Sequence, residues 1–147
     1  MDGSAAVQVS RAQLVFYCLV AVLALLGLAD SCYLTVMHLS GQDVACGPAG
    51  DCSTVLSSAY SSVRGVPTAA FGAVAYFAAF SFALLVAFAY GWARIFLVLL
   101  VAVMFIASLG LVCVQAFVLH AFCPFCLLSA AITFLITGLV LAAPRSA

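Results

Sequence analysis

The sequence predicts an all-α integral membrane protein, a four-transmembrane-helix bundle with a short outward amphipathic helix in its first loop. Three observations lead there. The chain is 69% hydrophobic and only 5% charged, with a mean hydropathy of +1.39, which is too apolar for a water-soluble globule. Its apolar residues gather in four runs, each close to the ~20 residues that a helix needs to cross a hydrocarbon core. The breaks after the second and third runs are short, so successive helices must lie antiparallel and side by side.

Taken in order, the first span runs from about Leu14 to Met37, and an outer loop occupies residues 40–67. The second span covers about residues 69–90, the third 95–119 and the fourth 125–142. Tyr90-Gly91-Trp92-Ala93-Arg94 reads as a tight turn with interfacial aromatics, and His120-Ala121-Phe122 as a still shorter one. At 147 residues all of this makes one domain, residues 1–147. The first apolar run is too long for a cleaved signal peptide, so the N-terminus is expected to be retained. Small residues such as Gly27, Gly72, Ala107 and Gly110 allow close helix approach.

The loop has its own internal pattern. Cys46-Gly47-Pro48-Ala49-Gly50-Asp51-Cys52 is punctuated by Gly and Pro and carries no periodicity. Beyond it, Ser53 is a helix N-cap candidate, and Val55, Leu56, Ala59, Tyr60 and Val63 recur on one helical face. That periodicity predicts an amphipathic helix lying across the top of the bundle.

Charge sets orientation and excludes partners. Lys and Glu are absent; Arg11, Arg64, Arg94 and Arg145 balance Asp2, Asp30, Asp43 and Asp51. With zero net charge and no basic cluster, nucleic acid is not an expected partner. Placing both termini on one side puts Arg11, Arg94 and Arg145 there and only Arg64 opposite, so the termini are expected to be cytoplasmic. The four cysteines Cys46, Cys52, Cys123 and Cys126 then face outward, where disulfides persist.

Cys123-Pro124-Phe125-Cys126 at the head of the fourth span carries the chemistry. Thiols three apart at a helix start share one face and can bridge, and the helix N-terminus favours the thiolate. With the second pair, Cys46 and Cys52, the pattern reads as an electron relay at the bilayer edge. Cys18, Cys32 and Cys113 read instead as buried small apolar residues, and His38 and His120 as interfacial hydrogen-bonding groups, with no metal site expected. Asp30, an ionisable group within a span, is a functional candidate by position. Its place about one turn from the outer helix end favours a solvated or hydrogen-bonded structural role.

Cys52-Ser53-Thr54-Val55-Leu56-Ser57-Ser58, then Gly65-Val66-Pro67 and Phe71-Gly72, then the Cys123–Cys126 pair, together resemble the vitamin K epoxide reductase (VKOR) family over essentially the whole chain. The likeness is greatest to prokaryotic members that reduce a quinone while oxidising a secreted thioredoxin-like partner. It implies a VKOR-like thiol:quinone oxidoreductase of a bacterial or archaeal inner membrane, supporting disulfide bond formation. By this resemblance Cys126 acts on the quinone, Cys123 bridges to it, Cys52 shuttles to Cys123, and Cys46 exchanges with the partner. Ser58 corresponds to a serine that hydrogen-bonds a quinone carbonyl, and Phe71, Gly72, Tyr76, Phe122 and Phe125 would line an apolar pocket for the ring.

The electron acceptor implied is a quinone of menaquinone, ubiquinone or vitamin K type. No thioredoxin-like domain follows the fourth span, so a separate DsbA-like protein is the expected thiol partner. Animal relatives carry a tyrosine where this chain has Ala130 and an asparagine where it has Thr68. Two other functions compete: a vitamin K quinone or epoxide reductase, which those two differences weigh against, and a non-enzymatic four-helix membrane protein with structural disulfides. The broken polar helices of a transporter are not evident.

Overall fold

The computed structural model describes residues 9–42 and 52–145. Cys46 therefore lies outside the described residues, as does the whole segment between the loop cysteines. Within them the protein is a bundle of four long helices, each apolar and long enough to cross a membrane. These are α1 (Arg11–Leu39), α3 (Thr68–Ala87), α4 (Gly91–Cys113) and α5 (Pro124–Ala142). A short helix α2 (Cys52–Leu56) and a hairpin of β1 (Ser62–Val63) and β2 (Val66–Pro67) lie between α1 and α3.

Local chemistry sets the helix ends. The Ser10 hydroxyl accepts from the Gln13 amide at 3.1 Å and starts α1. Pro67 caps α3, and Pro124 occupies the first turn of α5, where a missing N–H costs nothing. Helix α4 does not stop cleanly: it widens into a π-helical segment, Val114–Leu119, closed by His120 at φ 49°. Gly91 to Arg94, expected as turn, form the first turn of α4. The Trp92 ring packs edge-on against both Phe82 and Phe96 and draws that stretch into the helix.

The loop helix is shorter than its periodicity suggests. It ends at Leu56, because Ser57 and Ser58 turn their hydroxyls onto the carbonyls of Thr54 and Val55. Ala59, Tyr60 and Val63 fall in the turn and hairpin that follow. Arg64 and Gly65 both take positive φ (52° and 84°), the two-residue turn that suits an antiparallel hairpin. The Thr68 hydroxyl donates to the Tyr60 carbonyl at 2.9 Å and ties the hairpin to the head of α3.

In a membrane, close packing and polar contacts bind helices more than hydrophobicity does. The α1–α3 seam shows both. Ala21, Ala24, Ala79 and Ala83 are buried along it. Gly27 faces the Tyr76 ring so closely that a Cβ there would drive into it. The Tyr76 hydroxyl crosses to α5, bonding the Ser129 carbonyl at 2.6 Å and the Thr133 hydroxyl at 2.8 Å. One side chain thus pins three helices. Cys18, Cys32 and Cys113, expected inside, are exposed on the outer faces of α1 and α4. The inner faces are already filled by Tyr17, Val20, Leu97, Val101 and Ile136.

Candidate functional site

At the end of the bundle where α1 finishes and α5 begins, a small second core gathers Leu34, Cys52, Val55, Ala121 and Cys123. Cys52 enters it because it opens α2, and Cys123 because it caps α5. Both are buried, at 1% and 0% exposure. Their sulfurs are 3.0 Å apart. A covalent disulfide is about 2.05 Å long, so roughly 1 Å of movement separates this contact from a bond. Cys52 is itself disulfide-bonded, while Cys123 and Cys126 are free thiols. The arrangement juxtaposes a disulfide sulfur with a thiol, the geometry from which thiol–disulfide exchange starts.

The electrostatics favour that exchange. Cys123 ionises more readily than an ordinary thiol, its pKa lowered from 9.0 to about 7. The largest cause is the hydrogen bond from the Cys126 thiol; the Cys126 and Phe125 amides at the open start of α5 add to it, and burial opposes. The backbone is equally constrained. The Cys123 amide donates to Oε1 of Gln115 at 3.0 Å, and the Ala121 amide to the Gln115 carbonyl at 3.2 Å. Gln115 is 3% exposed and sits in the π-helical segment, a local widening often found at functional sites.

Cys126, one turn deeper, lies on the wall of a cavity of about 320 Å³. All four long helices contribute to this wall, and α2 with the hairpin covers it. Its lining surface is largely apolar, and its polar side chains include Ser31, Ser58, Ser108, Gln115, Ser129 and Thr133. Phe71 on α3 and Val103 on α4 line the cavity yet are themselves exposed, so it reaches the lipid-facing surface between these helices.

The expected site residues divide accordingly. Cys52, Cys123 and Cys126 come together, and Ser58, Phe71, Gly72 and Tyr76 line the cavity. The Ser58 hydroxyl donates to the Val55 carbonyl at 2.7 Å, so its proton is engaged unless the hydroxyl rotates. Phe122 is exposed and off the cavity wall, and Phe125 packs on Tyr33 with ring centroids 5.4 Å apart. His38 is on the wall; among the described residues no cluster of three metal-ligating side chains occurs. Ala130 and Thr68 both border the cavity.

Two residues gain importance that the sequence understates. Gln115 has a signal, a lone amide in a run whose one other hydroxyl or amide side chain is Ser108. Asp30 reads in the sequence as near a solvated helix end, but α1 continues to Leu39 and leaves it over two turns inside. It is 9% exposed, and its Oδ2 has no hydrogen-bond partner.

Against known families, residues 18–141 match the model of the vitamin K epoxide reductase family. Comparison with curated proteins gave no match. The matched span covers all four long helices but for the first turns of α1 and the last residue of α5, together with the described site. The chain belongs to the vitamin K epoxide reductase family and is an integral membrane oxidoreductase.

Proposed function

We propose that this family member is a thiol:quinone oxidoreductase that draws electrons from a separate thioredoxin-like protein and delivers them to a quinone, sustaining disulfide formation outside the cytoplasm. The observation that carries the reading is the 3.0 Å contact between Cys52 and Cys123, with Cys126 on the wall of an apolar cavity. Cys46 exchanges with the partner and passes the electrons to Cys52. Cys52 thiolate then attacks Cys123 of the Cys123–Cys126 disulfide and expels Cys126 as thiolate; Cys46 sulfur attacks Cys52 of the resulting mixed disulfide, closing Cys46–Cys52 and releasing Cys123, so the helix pair is left as two thiols. A disulfide at Cys52 beside free thiols at Cys123 and Cys126 is the combination such a relay would hold after that transfer and before quinone reduction, which supports the reading.

Quinone is the substrate of the second half. Its flat ring and isoprenoid tail suit an apolar cavity that meets lipid between α3 and α4. Cys126 faces the ring there, and Ser58, on turning from Val55, donates to a carbonyl oxygen that gains charge. Menaquinone or ubiquinone fits this wall better than vitamin K epoxide, because Ala130 and Thr68 offer neither the phenol nor the amide of animal relatives. The side that holds the cysteines faces outward, with Arg11, Arg94 and Arg145 at the cytoplasmic end.

Paired turnover tests the relay. Cys46→Ala should stop oxidation of a protein dithiol yet leave quinone reduction by dithiothreitol, which reaches Cys123–Cys126 directly. Cys126→Ser should abolish both. Equal loss of both activities in Cys46→Ala would mean that the loop only holds the site together.

A further inference from the structure

The reduction of a quinone by two thiols moves two protons as well as two electrons, and the cavity wall has no ionisable side chain beside Cys126 except Tyr76, Tyr60 and His38. Asp30 is not on that wall, but it directly precedes Ser31, which lines it. A carboxylate inside a membrane bundle is costly unless it is used or paired. This one is 9% exposed with an unpartnered Oδ2.

Its depth follows from the Tyr76 pin. The Tyr76 ring rests on Gly27 of α1, and its hydroxyl bonds Ser129 of α5. Helix α1 rises toward the cysteine end and α5 descends from it. Asp30 is three residues above Gly27, and Cys126 three residues above Ser129. Each step is about 4.5 Å of helix rise, so Asp30 and Cys126 stand at one level, a turn above the pin. Cys126, Cys123 and Tyr76, on α5, at its cap and on α3, are the titratable groups within electrostatic reach of Asp30.

We propose that Asp30 is the intramembrane proton acceptor for the Cys126 thiol. Cys126 S–H passes its proton to the Asp30 carboxylate and becomes the thiolate that adds to the quinone ring. Cys123 sulfur then attacks Cys126 sulfur, closing the disulfide, and the bonding pair departs with the ring. Two thiols are oxidised and the quinone is reduced to the hydroquinone. Its two oxygens take up two protons, one returned by Asp30 and one released by Cys123. Tyr76 holds α1 and α5 at the spacing that keeps the carboxylate and the thiol at one depth.

This inference rests on the thiol:quinone reading, and its test has an arm that does not need quinone. In reduced full-length protein, alkylation of Cys126 by a membrane-permeant reagent is followed by peptide mass spectrometry across pH. If Asp30 takes the proton, Asp30→Asn slows alkylation about tenfold or more at neutral pH, and Asp30→Glu keeps the wild-type rate. If the carboxylate is only a nearby negative charge, neutralising it speeds alkylation. An unchanged or faster rate in Asp30→Asn overturns the proposal. Asp30→Ser, which also removes the carboxylate, separates the same two outcomes should the amide variant fold poorly. In the quinone arm, with dithiothreitol as reductant, Asp30→Asn should lower kcat about 100-fold with the quinone KM unchanged. Wild type that alkylates as expected but reduces no quinone would refute the functional reading and leave the Asp30 assignment standing.

Discussion

Gln115→Met removes one hydrogen-bond acceptor and keeps nearly the same length and volume. The group that loses its partner is the Cys123 amide, held at 3.0 Å in a position with 0% exposure. Leaving a buried donor unsatisfied costs about 1–3 kcal/mol. The chain can recover part of that by letting the short connection between the π-helical segment and α5 relax, since the Gln115 carbonyl also anchors Ala121 there. Either way Cys123 shifts relative to Cys52, and the 3.0 Å sulfur contact is the distance most sensitive to it. A misplacement of about 1 Å costs on the order of 100-fold in a positioned reaction. Oxidation of a protein dithiol, which needs the Cys52–Cys123 exchange, should therefore fall about 10- to 100-fold. Quinone reduction by dithiothreitol, which bypasses Cys52, should fall less than about fivefold. The melting temperature should drop by about 2–4 °C for each kcal/mol not recovered by relaxation. The two turnover rates measured side by side on purified protein decide the matter. If both activities fall equally, or neither falls, Gln115 does not set the Cys52–Cys123 geometry.

In reduced protein the alkylation rate of Cys123 should climb about tenfold per pH unit below 7 and level off above, because only the thiolate reacts and its pKa is lowered to about 7. Cys126→Ala removes the largest cause of that lowering, so the midpoint should move up toward 9; a midpoint unmoved would discard the hydrogen bond as cause. Cys123→Ser should leave Cys126 able to hold a coloured thiolate–quinone complex, seen in the visible spectrum, which Cys126→Ser cannot form. Gly27→Ala forces a methyl into the Tyr76 ring and should lower stability by about 1–3 kcal/mol, read as a lower melting temperature. An impermeant maleimide on intact cells should label Arg64→Cys, at the exposed hairpin tip; labelling only after access from the cytoplasmic side would reverse the topology.

The fold is legible in the sequence because its signals are long and redundant. Twenty-residue apolar runs allow few structures in lipid, and two short connections leave little choice of topology. The short-range detail is less legible where two local preferences compete. Val55, Leu56, Ala59, Tyr60 and Val63 do fit a helical face, but Ser57 and Ser58 can bond backward to carbonyls, and Arg64-Gly65 makes a tight turn. The turn chemistry prevails over a periodicity too short to nucleate more than five helical residues. At Gly91 the competition runs the other way: a glycine and interfacial aromatics read as turn, whereas Trp92 packing on Phe82 and Phe96 extends the helix.

The site is legible in its thiols and obscure in what surrounds them, for a physical reason. Cysteine spacing is a local property, visible in Cys123-Pro124-Phe125-Cys126 itself. The contact between Cys52 and Cys123 spans 71 residues, and the cavity wall draws on all four long helices. Facing direction in a membrane bundle is also poorly marked in sequence, because the inside and the lipid are both apolar. Cys18, Cys32 and Cys113 therefore cannot be told from inward residues, and Phe122 and Phe125 cannot be told from cavity residues. Polar side chains escape this degeneracy. Asp30, Ser31, Tyr76, Gln115, Ser129 and Thr133 have no reason to face lipid, and all of them are buried or half-buried. In a chain this apolar, such polar residues mark the interior, and Ser31, Tyr76, Gln115, Ser129 and Thr133 mark the wall of the cavity that holds Cys126.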